Sequence, residues 1–173
     1  AFPEKNNFVN ILIPGYVSSR KNPFIAISAC ANLREKLGLE ITLTFRGEVT
    51  AEIESAIHDM NLDWVFVDNS YLSRDMYLTS LQNCDLILLP YSNRGSSGIV
   101  LEGLALSKSV AIYGSRHWKY LSFRSGGQLI LMQRGVKGIS TAIERYYRVH
   151  NETSRYIIEH GARRSVLDFL IGK

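Results

Sequence analysis

No run of apolar residues in this 173-residue chain approaches the roughly 20 needed to cross a bilayer as a helix, which excludes a membrane-spanning helix. Cysteine is scarce. Cys30 and Cys84 each stand in apolar surroundings without a second Cys or a His at metal-ligand spacing, so both are expected to be buried, reduced thiols in a cytoplasmic setting. The glycine signatures of common nucleotide sites are missing as well. Only Gly15 follows the first apolar run, so G-x-G-x-x-G fails and a nicotinamide or flavin cofactor is not expected; the Walker pattern G-x-x-x-x-G-K-[ST] is also absent. "GSSGI" does not satisfy the nucleophile elbow G-x-S-x-G, which argues against a Ser/His/Asp hydrolase. An initiating Met and a signal-peptide pattern are lacking too, so "AFPEKNN" reads as a cut rather than a natural start, and part of a longer protein is expected to precede it.

Negative charge is scarce in one half only. Residues 1–86 hold 7 Lys/Arg against 11 Asp/Glu, whereas residues 87–173 hold 13 against 5. The basic excess is either a solvated face or a field that attracts an anionic ligand or an acidic membrane surface. Nucleic acid is not the expected partner, because the cations are scattered and form no basic region, zinc-finger spacing or ribonucleoprotein motif.

What is present is an alternation of short apolar runs with helical patterns, without repeats or a low-complexity linker. "FVNILIP", "EITLTFRG", "DWVFVD", "DLILLPY", "SVAIYG" and "QLILMQ" read as six strands. Between the first two, Asn22 is placed as an N-cap, Pro23 at the first helical position and Gly38 as a stop. Further helices are expected over "TAEIESAIHDMN", capped by Thr50, over "SRDMYLTSLQN", over about 97–107, and over two separate segments near 137–150 and 153–170. In the first of that last pair, Ile139, Ala142, Ile143 and Tyr146 form a core-facing stripe.

Strands apolar on both faces and alternating with helices imply one doubly wound, Rossmann-like α/β domain over 1–173: a mainly parallel six-stranded sheet covered on both sides. In the common order 3-2-1-4-5-6 the ligand crevice opens at the carboxyl ends of strands 1 and 4. Two loops would meet there. The first carries Ser18, Ser19, Arg20 and Lys21 and is suited to an anion rather than to phosphoacceptor chemistry. The second is a Gly/Ser stretch, "SNRGSSG", that opens a helix carrying a single acid, Glu102; such a helix start leaves N–H groups free for phosphate.

These residues resemble the nucleotide-sugar-binding C-terminal domain of the group 1, GT-B-fold glycosyltransferases over about residues 9–113. Gly15 and Lys21 match a Gly-Arg motif with a Lys six residues after the Gly, with Tyr16 in place of the Arg. "LQNCDLILLPYSNRGSSGIVLEGLALSKSVAI" looks like the family's segment with two acids eight residues apart: Asp85, Pro90, Glu102, Ala105 and Val110 fall in register, while Arg94 replaces the first acid.

The resemblance implies a donor-binding half that takes a nucleotide diphosphate sugar as substrate and transfers the sugar to a hydroxyl acceptor, with retention, in polysaccharide biosynthesis. Lys21 and Glu102 are the residues it assigns to the reaction, Lys21 at the diphosphate and Glu102 at the ribose. Ser96, Ser97 and Gly98 would offer backbone N–H groups to the phosphates, Arg20 would stand in for the missing Arg, and Arg94 occupies a donor-sugar position. Val67, Asp68 and Asn69 are base-contact positions. It implies no metal and no further cofactor, an acceptor site in an N-terminal domain outside this chain, and an inactive isolated half; peripheral contact of the parent with the inner face of a membrane is the reading that the basic excess, not the resemblance, leaves open. A catalytically retired binding module and a GT-B-fold epimerase are the rivals. His117 and Trp118 read as structural.

Overall fold

The computed structural model describes residues 7–91 and 97–161, with side chains described as far as 151. Strand and helix alternate in the order β1 (Phe8–Pro14), α1 (Pro23–Leu37), β2 (Glu40–Arg46), α2 (Ala51–Asp59), β3 (Val65–Asp68), α3 (Arg74–Asn83), β4 (Leu86–Leu89), α4 (Gly98–Ala105), β5 (Ser109–Tyr113), α5 (Arg116–Arg124), β6 (Leu129–Met132) and α6 (Gly135–Gly161). All six strands are parallel and lie in the order β3-β2-β1-β4-β5-β6, which is the doubly wound order read from the sequence. The acid-rich half of the chain thus supplies the β1–β3 side of the sheet and the basic half the β4–β6 side.

Alternation along the strands divides the core between the two faces. Ile11, Ile13, Leu43, Phe45 and Leu88 pack with Ala26 of α1, Ile53 of α2 and the Ile139, Ala142, Ile143 and Tyr146 stripe of α6. Leu12, Ile87, Leu89, Val110 and Ile112 pack with Leu81 of α3, Val100 of α4 and Trp118 of α5. Covering on both sides explains why every residue of β4 and β5 is buried. Cys30 and Cys84 are free and buried, and burial raises their thiol pKa to about 12 and about 11 respectively.

Pairing is uneven across the sheet. β1 and β2 run in register over seven residue pairs, Phe8↔Glu40 to Pro14↔Arg46, whereas β1 and β4 are in register only at Ile11↔Leu86 and Leu12↔Ile87. Helix α4 lies close to the sheet through Gly103, where a Cβ would stand 2.8 Å from both Ile87 Cδ1 and Val110 Cγ2. Both neighbours are fully buried, so Gly103→Ala should lower unfolding free energy by about 1–3 kcal/mol in a denaturant titration, despite alanine's better helix propensity.

Two elements differ from expectation. The C-terminal helix is one continuous piece over Gly135–Gly161 rather than two, because "HNETS" contains cap-forming residues but no Gly or Pro to stop it; residues 162–173 of the expected second helix lie outside the described residues. Helix α5, over "RHWKYLSFR", was not expected from the sequence. Ser115 caps it by accepting from Trp118 N at 3.4 Å, and Trp118 is its anchor, 1% exposed.

Candidate functional site

The site starts from the end of β1. Gly15 takes φ +81°, and a Cβ there would lie 3.4 Å from Lys21 Nζ and 3.7 Å from Ile99 Cδ1, so a side chain at this position would intrude between the lysine and the start of α4. Its neighbour in space is a second glycine. Gly47, at the end of β2, has φ +125°, and a Cβ on it would meet Gly15 O at 2.9 Å; sequence reading did not single it out. The chain then pairs Val17 with Val49, makes one 3-10 turn over Ser19–Lys21, and enters α1 through Asn22 in the left-handed region at φ 46°. Asn22 occupies the expected N-cap position but makes no side-chain cap. Its Nδ2 instead donates to Pro90 O at 2.6 Å, tying the loop after β1 to the end of β4.

The 3-10 turn directs Lys21 inward, where it is 9% exposed. Its Nζ donates to the Pro14 carbonyl and lies 5.6 Å over the Tyr91 ring, and Tyr91 Oη is 3.2 Å from the buried Ser97 Oγ. Among the described residues no carboxylate pairs with this ammonium. Burial depresses its pKa to about 8. Ser97 is the N-cap of α4 without a side-chain cap bond; its carbonyl accepts from Val100 N at 3.1 Å, while the N–H groups of Gly98 and Ile99 open the helix with no intrahelical acceptor. Gly15, Lys21, Ser97 and Gly98 are thus brought together at the β1/β4 crevice, a buried cation on one wall and a helix start on the other. Arg94 and Ser96 lie outside the described residues.

Glu102, one turn into α4, is held by α3. Arg74 donates to Oε1 at 2.7 Å and Tyr77 Oη donates to Oε2 at 2.8 Å. Partial burial opposes the carboxylate, but those two hydrogen bonds outweigh it and keep its pKa below the ordinary glutamate value; burial, then the bond to Glu102, pushes the Tyr77 phenol up. Each oxygen keeps a second acceptor site. Arg74 and Tyr77 went unnoticed in the sequence. The signal was available: three residues apart just inside a capped helix, they share one face, and an acid flanked by "IVL" and "GLAL" needs donors from somewhere.

Arg20 is exposed on the 3-10 turn. Val67, Asp68 and Asn69 form the end of β3 and the loop beyond it. Asp68 stands 2.9 Å from Arg46 Nε, without the alignment of a hydrogen bond, and accepts from Ser70 Oγ at 2.6 Å. Asn69 exchanges hydrogen bonds with the Val49 backbone and donates to Glu54 at 2.6 Å. These residues therefore build a shelf through Val49 to Val17, beside the Lys21 crevice rather than inside it. His117 is exposed and packs edge-on against the buried Trp118 with ring centroids 4.6 Å apart.

No family model matches the chain, and no curated protein matches its sequence. Solved structures do share the fold. The C-terminal domain of a glycosyl transferase group 1 family protein, LpcC, from Francisella tularensis aligns with TM-score 0.64 at 15% identity, covering 88% of this chain and 85% of that one. The catalytic domain of cholesterol-α-glucosyltransferase from Helicobacter pylori aligns with TM-score 0.61 at 22% identity over 93% of this chain and 98% of that one. A putative UDP-N-acetylglucosamine 2-epimerase from Listeria monocytogenes aligns with TM-score 0.60 at 12% identity over 86% of this chain and 38% of that one. At these identities the likeness is one of fold: the chain is built like the Rossmann-like half of a GT-B protein.

Proposed function

We propose that the β1/β4 crevice binds the diphosphate of a nucleotide-sugar donor, and that the chain is the donor half of a glycosyltransferase acting on a hydroxyl acceptor. The observation that carries this is Lys21: a buried ammonium with no carboxylate partner among the described residues, beside the open first turn of α4. Charge buried in this way is unfavourable until an anion arrives. As the anomeric C–O bond breaks, its electron pair moves onto the terminal phosphate oxygen; Lys21 and the N–H groups of Gly98 and Ile99 stabilise that charge, which lets the diphosphate leave without a metal. In the same reading Glu102 accepts from the ribose with its remaining lone pairs, the Val67–Asn69 shelf receives the base, and the sugar is transferred with retention. The acceptor and its base come from a second domain, so this chain alone binds donor without turning it over.

Calorimetry on the 173-residue chain with uridine and guanosine diphosphates and the matching nucleosides is the test. A diphosphate should bind at least about tenfold more tightly than its nucleoside, as expected when charge-assisted hydrogen bonds to phosphate are added; equal affinities, or none, would remove the proposal. An epimerase is the second reading, favoured by the fold it shares with the Listeria protein. Isomerisation of a nucleotide sugar without any acceptor would select it.

A further inference from the structure

We propose that the outer face of α5 docks on an anionic lipid surface, an inference independent of the crevice. Arg116, Lys119, Tyr120, Phe123 and Arg124 fall at the i, i+3, i+4, i+7 and i+8 positions of this helix, so they form one stripe, and all five are exposed. Tyr120 is 67% exposed and Phe123 89%, whereas Trp118 and Leu121 turn inward to the core. A soluble face has little use for two aromatic rings standing in water between three cations.

Charge complementarity selects the partner. From residue 103 to residue 143 the chain has six Lys/Arg and no Asp or Glu, and among the described residues none of the three stripe cations pairs with a carboxylate. Arg124 instead donates to Tyr120 Oη at 3.0 Å, which holds ring and guanidinium side by side. A row of cations with two rings projecting from it matches an acidic headgroup layer, where the cations meet phosphates and the rings enter the boundary below them. With nine residues, α5 would lie in the plane of that boundary rather than cross it. Nucleic acid would use the same cations but has no need of Phe123.

Co-sedimentation of the whole chain with vesicles of 7:3 phosphatidylcholine to phosphatidylglycerol, and with pure phosphatidylcholine, tests the proposal. The chain should bind the first and not the second, and binding should weaken with added salt. Tyr120→Ser with Phe123→Ser, which leaves the charge unchanged, should lower the vesicle affinity at least about fivefold through lost apolar burial, and Lys119→Glu with Arg124→Glu should abolish binding. Unchanged thermal melts and unchanged intrinsic fluorescence of Trp64 and Trp118 would establish that the variants fold. Failure to bind the anionic vesicles, or indifference to the aromatic pair, would overturn the proposal. So would tight binding of a 20-base-pair duplex, or a dimer lost in Phe123→Ser, with vesicle binding absent.

Discussion

Lys21→Met should raise the melting temperature of the unliganded chain while weakening nucleoside diphosphate binding by about 100-fold or more, with nucleoside binding little changed. The two effects have one origin. An ammonium whose pKa is pulled from 10.5 to about 8 by burial is held in its charged form against a sizeable cost, ~3 kcal/mol at neutral pH. Methionine removes that cost and keeps most of the volume, although the Pro14 carbonyl loses its donor, at about 1 kcal/mol. The net gain should be ~2 kcal/mol. Binding loses a desolvated charge pair, for which about 2–5 kcal/mol is usual, and that is the origin of the large fold-change.

The pH dependence fixes the assignment to Lys21. Between pH 8 and 10.5 the unfolded lysine still holds a proton that the native one has released, so the stability advantage of the variant over the wild type should shrink across this window, whereas the buried thiols of Cys30 and Cys84 act alike on both chains and drop out of the difference. Diphosphate affinity should fall as pH rises through about 8, because the anion requires the ammonium. Thermal melts and calorimetry at pH 7, 8.5 and 10 read both. A variant that melts lower and binds as well as wild type would make Lys21 a structural residue.

The second large effect is expected at Glu102. Glu102→Gln should weaken nucleotide binding by roughly 10- to 100-fold, the worth of a charged hydrogen bond. Sequence reasoning alone expects folding to be almost unaffected by that change, and the contacts to Arg74 and Tyr77 give the source of a small cost in stability. That cost should be modest, about 0.5–1 kcal/mol, because the Arg74 side chain is 63% exposed and its pairing is screened by water. Arg74→Ala with Tyr77→Phe separates the two roles, since it removes the α3 contacts and leaves the carboxylate. If the double variant loses as much nucleotide affinity as Glu102→Gln, the carboxylate acts by holding α4 against α3 rather than by touching ribose. A 2′,3′-dideoxy nucleotide completes the cycle: it should bind the wild type weakly and lose little more in Glu102→Gln.

The sheet was legible because its signal is redundant. β4 and β5 are apolar at nearly every position, Pro23 and Gly38 bracket α1, and Ser73 starts α3, where its hydroxyl accepts from Met76 N. Alternation with helices gave a parallel, doubly wound sheet, and the common order for that fold is the one this sheet has. Helix α5 escaped because only Trp118 and Leu121 turn to the core, too short an apolar stripe to count among "RHWKYLSFR". In the crevice, Lys21 and Ser97 were readable from loop position, whereas the Asn22 bridge, the Gly47 contact and the Arg74–Glu102–Tyr77 cluster join residues 25 to 68 positions apart, and a local pattern shows at most that Arg74 and Tyr77 share a helix face, not what they meet. Asp68 and Asn69 illustrate the converse: a position named by topology can have its polar atoms taken up by neighbouring loops.

The short ladder between β1 and β4 has a mechanical meaning. Strands that are in register over only two residue pairs form the thinnest joint in the sheet, and it lies between the two halves wound in opposite directions. Lys21 belongs to one half and the first turn of α4 to the other, with Asn22 to Pro90 as a latch near the rim. A molecule gripped by both walls is therefore a rivet across a parting line: its affinity and the cohesion of the two halves are the same free energy, counted once from each side.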